Sequence, residues 1–169
     1  MYVENLEPFG PNKEENIRRV ENGEEVKFPA DYREFLLTVG GGMFPNVREL
    51  PKENRPKILG ISALSDGVEF FDRIRALFGC IREQNLKYDI ENTLWQWDWD
   101  EEAIENPYKI IPIGISECGN LFVMELSKEY YGNISYVDRQ ELFDITKEEE
   151  AYFFPIADSF TELLEMLNK

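Results

Sequence analysis

Two amphipathic helices are predicted near the start of the chain, where apolar residues recur every three or four positions. The first begins near Lys13, with Asn12 as its expected N-cap, and the second opens at Pro29. The glycines at 40–42 are expected to end the second helix, because glycine readily adopts the positive φ of a helix stop. The predicted buried residues of the two helices are Ile17, Val20, Tyr32, Phe35, Leu36 and Val39.

The middle of the chain has weaker patterns. Residues 58–61 form a short apolar run that predicts a strand, and a helix is predicted from Ser65 through Ile74, ending near Phe78. Three tryptophans then alternate with polar residues over 95–99, and this period of two predicts a strand or extended segment.

The pattern after Pro107 turns to β. Strands are predicted over 110–115, 121–126 and 134–137, separated by turns at 117–120 and 131–133. Pro112 has no N–H to donate, so its strand needs an edge or bulge position for it. Ser159 and Glu162 form a capping box that begins the last helix. Helices at both ends around a β-meander predict one α+β domain over residues 1–169.

Composition and charge then narrow the chemistry. The 169 residues carry 18 Lys and Arg against 34 Asp and Glu, a net charge of −16, and include no histidine. Catalytic triads, histidine general bases and histidine-ligated zinc are therefore excluded. The acidic surface disfavours direct binding to nucleic acid and favours partners with basic surfaces. We expect no cofactor and no enzymatic activity.

Cysteine usage and the N-terminal sequence predict a cytoplasmic protein. Cys80 and Cys118 lack metal-type spacing, and two reduced thiols are favoured over a disulfide. The acidic residues 1–7 do not form a signal peptide, and no apolar run is long enough for a transmembrane helix.

Most of the negative charge belongs to the second half, next to the tryptophans. Residues 88–169 carry 19 acidic and 5 basic side chains, a net charge of −14. The tryptophans have two interpretations: burial of one strand face, or a binding patch in which adjacent carboxylates pair with a partner's Lys or Arg. Asp98, Asp100 and Glu102 are spaced as in calcium loops, but the required Gly and terminal Glu are missing, so no metal is expected.

Four segments stand out in order, at residues 28–36, 40–42, 111–126 and 156–164. Their motifs are Phe-Pro-Ala-Asp-Tyr, Gly-Gly-Gly, Ile-Pro-Ile-Gly and Ala-Asp-Ser-Phe-Thr-Glu. Together they resemble the SUKH superfamily, in the branch that contains the yeast Smi/Knr cell-wall synthesis regulator. The chain departs from the family pattern at Phe28, Gly40 and Arg139, where Leu, Asn and His are usual. The resemblance implies a largely antiparallel sheet flanked by helices, and it implies no catalytic residues.

Many bacterial members of this superfamily are immunity proteins that bind and neutralise a polymorphic or contact-dependent toxin, often a nuclease. The resemblance therefore implies an immunity protein whose acidic surface binds a cognate toxin, a basic nuclease domain. The alternatives are a regulatory scaffold of the Smi/Knr type that binds a cellular partner, and an enzyme that uses carboxylates. The predicted partner-binding residues are Trp97, Asp98, Asp100, Glu101, Glu102 and Glu105.

Overall fold

The structure, a computed structural model, describes residues 3–45, 72–80, 86–96, 109–138 and 153–168. Within these ranges the chain forms an antiparallel sheet whose strand order follows the sequence, so that it is a meander. The strands are β1 (Glu7–Pro8), β2 (Gly42–Met43), β3 (Ile74–Leu77), β4 (Ile110–Ser116), β5 (Leu121–Glu125), β6 (Ile134–Val137) and β7 (Phe154–Ala157). The helices are α1 (Glu14–Gly23), α2 (Ala30–Thr38), α3 (Ile90–Gln96) and α4 (Phe160–Leu167). The α+β class and the antiparallel sheet are as predicted.

The hairpins of β4, β5 and β6 form the middle of this sheet. Pro112 lies within β4, opposite Val123 of β5, and the register shifts between Pro112 and Gly114. This bulge accommodates a residue without an N–H inside a paired strand, which confirms the bulge alternative. The turn at 117–120 lies at one end of β5 and the turn at 127–133 at the other. A five-residue strand separates these turns by about 17 Å.

An aromatic cluster packs α2 against α4. Phe160 lies 4.8 Å from both Tyr32 and Phe35, measured between ring centroids, and all three side chains are buried. The Ser159 half of the predicted capping box is present, since its hydroxyl accepts a hydrogen bond from the Glu162 amide at 3.2 Å, whereas the Glu162 carboxylate accepts from the Asp158 amide at 2.8 Å. Local capping and burial of the rings together fix the start of α4.

The prediction that Asn12 caps α1 is wrong. The N-cap is Lys13, which makes no side-chain cap hydrogen bond, and Asn12 is buried. Its Oδ1 accepts from the Cys80 amide at 2.7 Å, and its Nδ2 donates to the Gly40 carbonyl at 3.3 Å. Asn12 therefore joins three distant segments, those before α1, after α2 and after β3.

Glycine is needed where these segments cross. A Cβ on Gly79 would lie 2.1 Å from the Gly40 carbonyl oxygen, and Gly40 itself has a φ of +78°. The predicted stop of α2 is confirmed, because the helix ends at Thr38 and Gly40 turns the chain towards β2. The same glycines thus end a helix and permit a close backbone contact.

Two predicted elements are wrong in their described parts, and the strands β1, β2 and β7 were not predicted. The rest of those two elements, residues 65–71 and 97–99, and the predicted strand at 58–61 lie outside the described residues. Ile74 was expected in a helix, but residues 74–77 form β3, since pairing with β4 overrides the local pattern. Trp95 lies in α3 and not in a strand, because Ile90 and Leu94 are buried at helical spacing. β7 was missed because Pro155 suggests a loop, although proline is accepted in the last strand of the described sheet.

Candidate functional site

The sequence-predicted binding residues lie outside the part of the chain that the structure describes. They are Trp97, Asp98, Asp100, Glu101, Glu102 and Glu105. The described residues instead bring together a charged cleft between α1 and α2 and an exposed aromatic turn beside it.

The cleft is built around a buried carboxylate, Glu21. Its side chain is only 4% exposed and lies on the buried side of α1 with Ile17 and Val20. Oε1 accepts from the Phe28 amide at 3.0 Å, and Oε2 lies 3.1 Å from Arg33 Nη1. A buried carboxylate is stable only when it is paired and hydrogen-bonded, and Glu21 meets both conditions. It thereby fixes the loop between the two helices.

The cleft has a volume of about 520 Å³ and carries several cations. Its lining residues are Arg18, Glu21, Asn22, Lys27, Phe28 and Arg33. Glu14 pairs with Arg18 at 2.8 Å and also with Arg33, and Lys27 lies 3.4 Å from Glu21. The hydrogen bond from Arg18 holds the pKa of Glu14 below its usual value. Since each cation already has a carboxylate partner, the cleft acts as a structural joint between α1 and α2.

Two exposed tyrosines stand beside this joint, in the turn formed by residues 127–133, which we call the tyrosine turn. Tyr130 and Tyr131 are 47% and 48% exposed. The Tyr131 hydroxyl donates to the Lys27 carbonyl at 2.9 Å, which ties the turn to the α1–α2 loop. Gly132, with a φ of +95°, lies against Pro29 and donates its amide to Glu125. The turn is therefore held in place while both rings face solvent.

The tyrosine turn lies among carboxylates. The charge of Glu129 and its hydrogen bond raise the pKa of Tyr130, while burial and then the charges of Glu21 and Asp31 raise the pKa of Tyr131. Asp31 in turn accepts from the Thr161 amide and hydroxyl at the start of α4. Both phenols thus stay protonated at neutral pH and present hydroxyl groups in a negative field.

A second polar cluster lies at the opposite end of the sheet. Buried Asp72 accepts from the Tyr136 hydroxyl at 2.9 Å and from the Cys118 amide at 3.3 Å, and Asn120 also contacts the Tyr136 hydroxyl. Burial raises the pKa of Tyr136. These bonds tie the β4–β5 turn to the start of β3, so the cluster has a clear structural role. Cys118 is exposed here, whereas Cys80 is buried, and both are free thiols.

Signals for the tyrosine turn and for Glu21 were present in the sequence. Residues 131–133 were interpreted as a turn only, although side chains in hairpin turns commonly face solvent and two adjacent tyrosines precede the glycine. Glu21 follows Ile17 by four positions and so falls on the apolar side of α1, where an acid requires a partner.

The described residues contain no group of three or more His, Cys, Asp or Glu placed to hold a metal ion. Among the same residues, no helix has the length and apolar character needed to cross a membrane.

Comparison with known proteins supports the resemblance noted in the sequence. No match to the chain was found among curated proteins. The family model described as SMI1/KNR4 family (SUKH-1) matches residues 11–166, which include α1, the cleft, the tyrosine turn and most of α4. The chain therefore belongs to the SMI1/KNR4 family (SUKH-1), within the SUKH superfamily.

Proposed function

We propose that this protein is a cytoplasmic, non-enzymatic immunity protein that binds and neutralises a cognate polymorphic or contact-dependent toxin domain. The observation that carries this proposal is an excess of carboxylates in a chain of the SUKH-1 family. Residues 109–138 and 153–168 carry seven acidic side chains and only two basic ones, Lys109 and Lys128. Five of the seven are exposed: Glu117, Glu129, Asp158, Glu162 and Glu165.

The sign of this charge indicates the partner's chemistry. A nuclease domain needs a basic surface to bind phosphate, so an inhibitor with the opposite field associates with it faster. Most ion pairs described lie within residues 13–33, and Arg19 with Glu91 is the exception. The five exposed carboxylates make no ion pair with another described residue, so their charge is available to a partner.

Binding to the toxin domain encoded beside this gene tests the proposal. The full chain and that domain are mixed at sodium chloride concentrations from 50 to 500 mM, and association and dissociation rates are measured together with toxin activity. We expect a complex that inhibits the toxin, with an association rate that falls steeply as salt rises. Absence of binding at every salt concentration, for every toxin domain in the gene neighbourhood, would refute the proposal.

Two matched variants test the sequence-predicted patch. One neutralises the carboxylates of residues 100–102 to Asn, Gln and Gln, and the other neutralises residues 148–150 to Gln. Each removes three negative charges, so the effect on overall charge is equal. We expect the first variant to bind at least about tenfold more weakly than the second, as for the centre of a binding patch. Equal losses would show that net charge acts without this patch.

The same experiment separates immunity from regulation. A regulatory scaffold of the Smi/Knr type would leave the neighbouring toxin uninhibited. It would instead form a stable complex with a cellular protein, and its gene would lie apart from toxin genes.

A further inference from the structure

The tyrosine turn combines exposed aromatic area with fixed geometry. Tyr130 and Tyr131 are two of the three large apolar side chains exposed in the described residues, the third being Leu37. Within the turn, the Asn133 amide bonds to the Tyr130 carbonyl at 3.0 Å, and the Gly132 amide bonds to Glu125 at 2.8 Å. Because the backbone is already ordered, a partner that covers the rings loses little conformational entropy.

The charge around the rings selects a cationic ligand. Glu129 adjoins Tyr130 in the sequence, Asp31 carries one of the charges that raise the pKa of Tyr131, and Glu125 lies at the end of β5. Lys128 is the one cation within residues 127–133, and Lys27 is already paired with Glu21. A lysine or arginine side chain interacts favourably with the face of a tyrosine ring and with adjacent carboxylates.

We propose that the tyrosine turn is a contact site for the partner protein, where Tyr130 and Tyr131 pack against a lysine or arginine that Glu129 and Asp31 attract. The site is separate from the acidic segment at residues 97–105. It rests on the proposed function in one respect, namely that the basic partner is the toxin domain.

An aromatic truncation and two substitutions that change the local charge in opposite directions test this site. Tyr130→Ala is expected to weaken binding of the adjacent-gene toxin domain about tenfold or more, as truncation of an interface aromatic does. Glu129→Gln is expected to slow association, and Lys128→Gln to accelerate it, because they change the local charge in opposite directions. A misfolded variant would not bind faster, so the two charge substitutions together distinguish a direct effect on the contact from misfolding.

Matched controls lie elsewhere on the protein. Glu117→Gln removes the same charge as Glu129→Gln but from the β4–β5 turn, about 17 Å away across β5. At 150 mM salt this exceeds the screening length of about 8 Å, so its effect on association should be smaller. Leu37→Ala truncates the other exposed apolar side chain and is expected to leave binding unchanged. Urea unfolding of every variant verifies that the fold is retained.

The outcomes separate the two proposals. If the toxin domain binds wild type and all turn variants with equal affinity, the tyrosine turn is refuted and the immunity function stands. If the toxin domain does not bind wild type, the immunity function is refuted, and titration with a triarginine peptide then decides the site. Nuclear magnetic resonance shifts concentrated at residues 127–133 and lost in Tyr130→Ala would support the site, and shifts elsewhere would refute it.

Discussion

Replacing Asn12 by Ala should destabilise the protein substantially, although Asn12 lies outside every helix and strand. Its side chain is 6% exposed, accepts a hydrogen bond from the buried Cys80 amide and donates one to the Gly40 carbonyl. The substitution leaves both groups without this hydrogen-bond partner. The loss of stability is about 1–3 kcal/mol for the amide and about 1 kcal/mol for the carbonyl. The expected loss is therefore roughly 2–4 kcal/mol, a large part of the stability of an ordinary domain.

Urea unfolding followed by tryptophan fluorescence measures this loss. In a chain of this size it corresponds to a melting temperature lowered by roughly 4–16 °C. The control is Asn22→Ala, since Asn22 is an exposed residue of α1 and its replacement should change stability by less than about 0.5 kcal/mol. If Asn12→Ala unfolds at the same urea concentration as this control, then the three segments are not held together through Asn12.

Three further predictions concern glycine, thiol and carboxylate positions. Gly79→Ala places a Cβ 2.1 Å from the Gly40 carbonyl oxygen and should prevent normal folding. Gly23→Ala, in contrast, adds a Cβ in open space within a helix and should raise the free energy of unfolding by up to about 1 kcal/mol. Urea unfolding of the two variants measures this difference. A thiol reagent at pH 7.5 should modify Cys118 in the native protein but Cys80 only after unfolding. Cys118 is exposed, whereas Cys80 is buried, and burial also raises the pKa of the Cys80 thiol. Glu14 has a lowered pKa in the folded protein, so its ion pairs stabilise the fold above the ordinary Glu pKa. This stabilisation is lost as the pH falls through the pKa of Glu14 in the folded state. The difference in unfolding free energy between wild type and Glu14→Gln should therefore shrink from pH 7 to about pH 3.

Local signals predicted the central hairpins and the last helix. Gly119 and Gly132 have positive φ in the two turns that separate β4, β5 and β6, and each was identified from its neighbours along the chain. The cap of α4 depends only on Ser159 and a glutamate three positions later. Such features can be read from the sequence because all the atoms that decide them lie within a few residues.

Contacts between distant residues explain the wrong predictions. Asn12 is of a residue type that often caps helices and lies just before α1, but its side-chain partners are 28 and 68 residues away. The apolar spacing that ends at Ile74 fits a helix, yet Ala76 pairs with Ile115 of β4. No local pattern contains that pairing, and burial between strands outweighs a modest helix preference.

The candidate site was only partly predictable for a related reason. The acidic, tryptophan-rich segment can be recognised from its composition alone. The rings of the tyrosine turn take up their positions only when the turn packs on the α1–α2 loop. Tyr131 and Lys27 are 104 residues apart, and their hydrogen bond is what places the two rings beside the cleft. Sequence reasoning could identify that 131–133 is a turn, but the loop that supports it is specified by the tertiary fold.

The protein uses its carboxylates in two ways, and this division supports a binding role. Glu14 and Glu21 are matched to arginines within the cleft, where they join α1 to α2 and have little charge left for a partner. Glu129 and Glu117 are exposed at opposite ends of β5, where their removal costs the fold little. A chain that required charge only for solubility would need a far smaller excess than −16. Exposed carboxylates that make no ion pair with another described residue are what the proposed attraction of a basic partner requires, and the Glu129 and Glu117 variants measure where such attraction acts.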